Sequence, residues 1–247
     1  MTVGYGDLTV DWLGYATARI ASETVVYTDP GRYGVLTGEW EPDTPGVGHP
    51  PAREYDARDG DVVLVTHDHH YDSDGVRRVA SDDATVVVYE NVDAERTGRD
   101  VEVPEELPYE VERVAYGDEL TVNGVEIGVI PAYNDPEGPR ADSQGNVPHP
   151  EGFGCGFLFT LGGEQVLWTG DSDVLGDHRT LDVSLFVPPI GKSFTMNRHD
   201  AADLAEEVDP DLVVPIHYNT FEALEADSGA FAADVAGRGI PVALDER

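Results

Sequence analysis

The sequence predicts a strand-rich α/β protein, and three observations carry that reading. Short apolar runs dominated by Val, Ile and Leu recur along the chain and stop at Gly, Pro, Asn or Asp turns, as strands do. Two later stretches, 197–208 and 221–236, carry the helical period instead. His and Asp residues stand repeatedly at the ends of the apolar runs, where loops can gather side chains from separate strands.

Residues 8–13 and 17–27 read as β-type runs separated by Gly14, and Asp29-Pro30-Gly31 ends the second. Residues 37–60 are rich in Gly, Pro and charge and read as a long connection. An apolar strand follows over 61–66, then a short helix over 75–80 and a β-branched strand over 85–89. Residues 119–130 alternate around an Asn123-Gly124 hairpin turn. A second loop covers 133–152, and the runs 153–161 and 164–169 pair across Gly162-Gly163. Strands are predicted over 181–187 and 212–216, with the clearest helix of the chain between them. Asn197 is its N-cap, Ala201, Ala202, Leu204, Ala205 and Val208 form its apolar face, and Asp209-Pro210 ends it. The weaker helix over 221–236 closes at Gly237. No linker or composition shift interrupts the series, so a single domain over 1–247 is expected.

The chain holds 49 acidic against 15 basic residues, a formal net charge of −34, and Lys192 is its one lysine. A phosphate backbone needs a basic face, so this balance argues against nucleic acid as a partner. Disorder is a poor reading as well, because the acid is dispersed between apolar strands and not gathered in a tail. A folded protein whose acidic surface is screened by concentrated salt is the better one, and it predicts a salt-loving organism. Cys155 is the single cysteine, so no intrachain disulfide can form, and residues 1–10 lack a signal pattern. No apolar run approaches the roughly 20 residues of a membrane helix. A soluble, cytoplasmic protein with no membrane partner is expected; its oligomeric state is left open, a homo-oligomer included.

The strongest chemical signal is Asp61-Val62-Val63-Leu64-Val65-Thr66-His67-Asp68-His69-His70-Tyr71-Asp72, a buried-type strand running into a histidine cluster. Imidazole is the commonest protein ligand for zinc and its neighbours, and carboxylates complete such sites. In an extended chain alternate residues point the same way, so His67 and His69 can aim at one ion. Three later features repeat the design. Val166-Leu167-Trp168-Thr169-Gly170-Asp171-Ser172-Asp173 ends in a carboxylate, Val213-Val214-Pro215-Ile216-His217-Tyr218 ends in a histidine, and His149 lies in a loop just before a strand. Together the four favour a metal centre.

At these residues the chain resembles the metallo-β-lactamase fold superfamily, and within it the branch that includes ascorbate-6-phosphate lactonase. The resemblance runs from Trp12-Leu13-Gly14-Tyr15-Ala16-Thr17 and Asp29-Pro30, through Thr66-His67-Asp68-His69, Pro131-Ala132-Tyr133-Asn134, His149-Pro150-Glu151-Gly152 and Thr169-Gly170-Asp171-Ser172-Asp173. It ends at Ser193-Phe194-Thr195-Met196 and Pro215-Ile216-His217-Tyr218. It implies a four-layer αββα sandwich with metals at one edge. Carried over by position, His67, His69 and His149 would hold a first ion, Asp171 would bridge, and His217 would serve a second.

The family motif His-x-His-x-Asp-His is broken here, since Tyr71 and Asp72 fall on its Asp and His. With one residue inserted, Asp72 takes the Asp role, Ser73 stands where the His belongs, and His70 is a bystander. A frame led by Asp68 and His70 is the other alignment. Asp72 or Asp74 is left to substitute at the second site, favouring a harder ion such as Mn²⁺, or that site is weak or empty. Gly14-Tyr15 also holds Tyr where relatives often hold His.

The reading is a metal-dependent hydrolase with one or two Zn²⁺, or Mn²⁺, using a metal-bound hydroxide on a small-molecule ester, lactone or phosphoester. Asp72 and Asp171 are the candidates for orienting that hydroxide and passing on its proton. A phosphodiesterase or nuclease of the same fold is the alternative, and a relative that binds metal or ligand without catalysis is the third. Lys192, beside a loop rim, is weighed as a substrate-anion contact against an ordinary surface lysine. Tyr133, Asn134, Tyr218 and Asn219 are candidates to line the site. His49, His178 and His199 read as surface residues, and Cys155 as a small core residue.

Overall fold

The computed structural model describes residues 2–31 and 55–246, so most of the predicted 37–60 connection lies outside the described residues. Thirteen strands form two mixed sheets among those residues. The first contains β1 (Val3–Tyr5), β2 (Leu8–Gly14), β3 (Thr17–Ala21), β4 (Val25–Thr28), β5 (Gly60–Val65), β6 (Ala80–Tyr89) and β7 (Glu110–Val114), in sequence order. β1 to β4 pair antiparallel; β4 to β7 pair parallel. The second contains β8 (Glu119–Val122), β9 (Val125–Ala132), β10 (Gly154–Leu161), β11 (Glu164–Trp168), β12 (Leu185–Phe186) and β13 (Leu212–Val213), in the order β13-β12-β11-β10-β9-β8. Here β8 to β11 are antiparallel hairpin neighbours and β11 to β13 are parallel.

A parallel pair needs a crossover, and helices supply two of them. Helix α1 (Ser73–Val79) joins β5 to β6, and α2 (Arg198–Val208) joins β12 to β13. The parallel strands are apolar at consecutive positions because both faces are covered; Val62, Val63, Leu64 and Val65 are all fully buried. Side chains of both sheets, among them Val63, Val87, Phe157 and Leu167, belong to one hydrophobic cluster. In α2 the predicted apolar face is buried, and Asn197 and Asp200 form a reciprocal capping box. Among the described residues no helix is long and apolar enough to cross a membrane.

Several predicted elements have different bounds. The run 17–27 is two strands, broken at Ser22, whose N–H turns back to Thr24 O at 3.0 Å. Of 181–187 only Leu185–Phe186 pairs as a strand, and of 212–216 only Leu212–Val213. Helix α3 (Ser228–Gly237) starts well inside the predicted 221–236, because the Asp227 carboxylate accepts from Ala230 N at 2.8 Å and sets the N-cap there. Strand β7, Glu-Val-Glu-Arg-Val, is an edge strand with exposed charges and carries too weak an apolar signal to be read from sequence.

Candidate metal centre

The site lies where parallel strands end. Asp29 follows β4, His67 follows β5, Asp171 follows β11 and His217 follows β13; His149 precedes β10, whose start adjoins the end of its antiparallel neighbour β11. Open α/β sheets bind ligands outside the carboxyl ends of their strands. The two sheets meet at this edge through Cys155 N, which donates to Thr66 O at 3.1 Å. Close approach dictates two residues. Gly170, at φ +61°, would place a Cβ 2.4 Å from Cys155 O, and Gly31 would place one 2.2 Å from His70 O. Tyr15, Asp29 and His217 also have φ between 41° and 58°, which is uncommon for residues other than glycine.

Asp171 is the hub. Its Oδ2 lies 3.7 Å from His67 Nε2, 3.6 Å from His70 Nε2 and 3.7 Å from His149 Nε2, and its Oδ1 lies 3.0 Å from His217 Nε2. His69 Nδ1 is 3.1 Å from His149 Nε2, and His70 Nε2 is 3.1 Å from His217 Nε2. Donors bound at about 2.0–2.1 Å to one tetrahedral ion stand about 3.3 Å apart, and these separations are compatible with ligands of shared ions. Among the described residues, His67, His69 and His149, and likewise His67, His70 and Asp171, have converging donor atoms within 4.8 Å of one another.

Outer partners fix which imidazole nitrogen faces inward. The Thr66 hydroxyl donates to Asp29 Oδ2 at 2.9 Å, so its oxygen accepts from His67 Nδ1–H, also at 2.9 Å. His149 Nδ1 donates to Phe194 O at 2.9 Å, and His70 Nδ1 donates to Asp29 Oδ2 at 3.1 Å. On this assignment His67, His70 and His149 all turn an unprotonated Nε2 toward an acceptor-only carboxylate. Converging lone pairs repel one another unless a cation lies between them. Among the described residues His67 Nε2 and Asp171 Oδ1 are buried without a hydrogen-bond partner. The donor set therefore fits a divalent ion of the zinc or manganese type.

The electrostatics agree. Burial pushes the His67 imidazole well down, with His70 and His149 adding to it, which favours the neutral ligand form. Burial works to raise the Asp171 carboxyl, but His217, through its charge and hydrogen bond, holds it below the usual carboxylate range. Asp29 is fully buried, and burial pushes its carboxyl up to about 8 against the donors from Thr66 N (2.8 Å), the Thr66 hydroxyl and Trp168 Nε1 (2.8 Å).

His67, His69, His149, Asp171 and His217 are thus brought together. Asp72 is not. Its Oδ1 accepts from Asp74 N at 3.0 Å and Gly75 N at 3.3 Å as the N-cap of α1, and its Oδ2 lies 4.0 Å from Arg99 Nη1. Asp74 pairs with Arg78 at 3.0 Å. His70, set aside as a bystander, is fully buried inside the cluster. The reason is local: residues 68–70 form a 3-10 turn, which swings His70 inward and carries the chain past the site before Asp72. Sequence pattern alone does not single out Asp29, although it is another carboxylate at the tip of an apolar strand, the pattern that reveals Asp171.

Among the lining candidates, Asn134 Oδ1 accepts from His149 N at 3.0 Å and holds that loop. Tyr218 turns away, stacking on Trp12 at 4.5 Å and donating to Glu246, and the Asn219 carboxamide accepts from Ala226 N. Tyr15 presents its ring to His70 at 4.9 Å and His217 at 4.6 Å, both edge-on. Lys192 is exposed, and its carbonyl accepts from Arg140 Nε. His178 is a correction: it is buried, with Nε2 donating to Pro131 O at 2.8 Å, because a 3-10 turn tucks it against β9. His199 is exposed on α2, and His49 lies outside the described residues. Cys155 is buried, and burial pushes its thiol well up, as a core residue requires.

Residues 9–217 match the β-lactamase superfamily domain. A UPF0173 metal-dependent hydrolase of Pelotomaculum thermopropionicum is 30% identical over 240 residues, covering 92% of this chain and 91% of that one. Its counterpart in Archaeoglobus fulgidus is 28% identical over 240 residues, covering 94% and 93%. Among solved structures, a metallo hydrolase of Ignicoccus hospitalis superposes with a TM-score of 0.66 at 19% identity, covering 96% and 94% of the two chains. An isothiocyanate hydrolase from Delia radicum gut bacteria superposes with a TM-score of 0.67 at 16% identity, covering 96% of this chain and 97% of that one. At such identities the structural likeness speaks for the fold.

Proposed function

The chain belongs to the β-lactamase superfamily and is a metal-dependent hydrolase, and from that premise we propose that it cleaves a small-molecule ester, lactone or phosphoester. The observation that carries the reading is the set of inward-facing Nε2 atoms around an ionised, buried Asp171. His67, His69 and His149 would hold one ion, with Asp171 reaching toward a second. Zn²⁺ suits the imidazole-rich set, in one or two copies, and Mn²⁺ is the harder alternative. Bound there, a divalent ion lowers the pKa of its water to about 7 and polarises the oxygen of the scissile group.

The chain's own residues supply the rest. Asp171, ionised at neutral pH, orients the attacking water through its carboxylate. Asp72 leaves this role, because its carboxylate is engaged at the start of α1. Substrate enters on the side of His69, the half-buried member of the cluster. The Phe153 ring lies 5.2 Å from His69 there, and the Arg96 guanidinium stands 6.0 Å above Phe153. That wall suits a small molecule, as the lactonase branch would use. The net charge of −34 disfavours nucleic acid and supports a salt-rich cytoplasm as the setting.

Metal analysis of the purified protein, followed by a panel of chromogenic esters, lactones and phosphoesters, tests the proposal. Bound divalent ion and turnover that His69→Ala and Asp171→Asn abolish are the expected results. A protein that binds no metal, or variants that retain activity, would place the chemistry elsewhere.

A further inference from the structure

We propose that His70 supplies the second metal position that the broken motif leaves open, so that His70, His217 and Asp171 form a divalent-ion site with Asp29 as its positioning residue. The inference rests on the metal-hydrolase reading above and goes beyond it, because the aligned motif assigns His70 no role and gives Asp72 the ligand's place.

Three observations carry it. His70 Nε2 lies 3.1 Å from His217 Nε2 and 3.6 Å from Asp171 Oδ2, and His217 Nε2 lies 3.3 Å from the same Oδ2. These three donors are spaced as the ligands of one tetrahedral ion are, and all three side chains are at least nine-tenths buried. The other side of the His70 ring is tied down, because its Nδ1 meets Asp29 Oδ2 at 3.1 Å. A carboxylate on the far nitrogen of a ligand histidine fixes the tautomer and aims the free nitrogen inward. Asp29 is itself held by Thr66 N, the Thr66 hydroxyl and Trp168 Nε1, so the His70 side of the site is fixed in place. Finally, Tyr15 packs edge-on against both His70 and His217, closing the outer side of this position. The customary Asp-His pair is replaced by one histidine arriving from a tighter turn.

The test is a titration of the metal-free full chain with Co²⁺ and with Zn²⁺, read by visible absorption and by bound metal after dialysis. Wild type should take two equivalents. His70→Gln should keep the first and lose the second, and Asp72→Asn should keep both. Asp29→Asn should weaken the second equivalent about 10- to 100-fold, the range for outer partners of ligand histidines, with the first unchanged. A general loss of structure would not separate the two equivalents in that way. Should His70→Gln fail to fold, ¹⁵N-histidine-labelled wild type decides: the second Zn²⁺ equivalent should shift the Nε2 signals of His70 and His217. A wild type holding one ion, a His70→Gln protein holding two, or a His70 signal that does not move overturns the inference and leaves the hydrolase reading standing. A wild type that binds no metal overturns that reading itself.

Discussion

Two corners of one cluster use the same side chains in unlike surroundings. His67, His69 and His149 form the corner nearer solvent: His69 is half-buried, Phe153 packs across all three rings, and Arg96 stands outside it. His70, His217 and Asp171 form the sealed corner, backed by Asp29, Trp168 and Tyr15, and every one of these is buried. The open corner is held at His149, by the Phe194 carbonyl and the Asn134 side chain. The sealed one hangs on a carboxylate 41 residues away in sequence. A buried ion position with rigid outer partners suits charge stabilisation, and an accessible one suits substrate exchange. Similar ligands thus acquire different duties from what stands behind them.

His67 offers the sharpest way to break the comparison, since its Nε2 belongs to the open corner and also converges with His70 and Asp171 of the sealed one. His67→Ala should abolish turnover and cut metal content at both corners, whereas His69→Ala should spare the ion of the sealed corner. Equal metal loss in the two variants, measured after dialysis, would mean that the corners are not separable. A second prediction sets the desolvated cluster against the acidic exterior. Below roughly 0.1 M salt, where the Debye length grows past about 10 Å, repulsion among surface carboxylates should loosen the fold. Far-ultraviolet circular dichroism that does not change on dialysis removes the salt-loving reading. The smallest effect belongs to Asp72→Ala. Loss of this helix cap should cost about 1 kcal/mol in urea unfolding with turnover little changed; a turnover collapse in a folded variant would return Asp72 to the site.

Much of this was legible in the chain. Apolar runs that stop at His or Asp mark strand ends, and in a mixed sheet the ends of parallel strands share one edge, so His67, Asp171 and His217 could be grouped unaligned. The Asn197 cap and the apolar face of α2 were equally plain, because helix periodicity and capping are local. The break in 17–27 and the helix start at Asp227 are not legible in the sequence, because apolar content alone does not say where a backbone turns.

What the sequence by itself determined is the inventory: which imidazoles and carboxylates stand at strand ends, and that their spacing suits metal. Tertiary structure alone decided which neighbours in His69-His70-Tyr71-Asp72 face inward. A single 3-10 turn rotates each residue by about a third of a circle relative to the last, so one residue's difference in register exchanges a ligand for a helix cap. The carboxylate that settles the choice, Asp29, comes from another strand, and its distance from His70 is a property of the sheet.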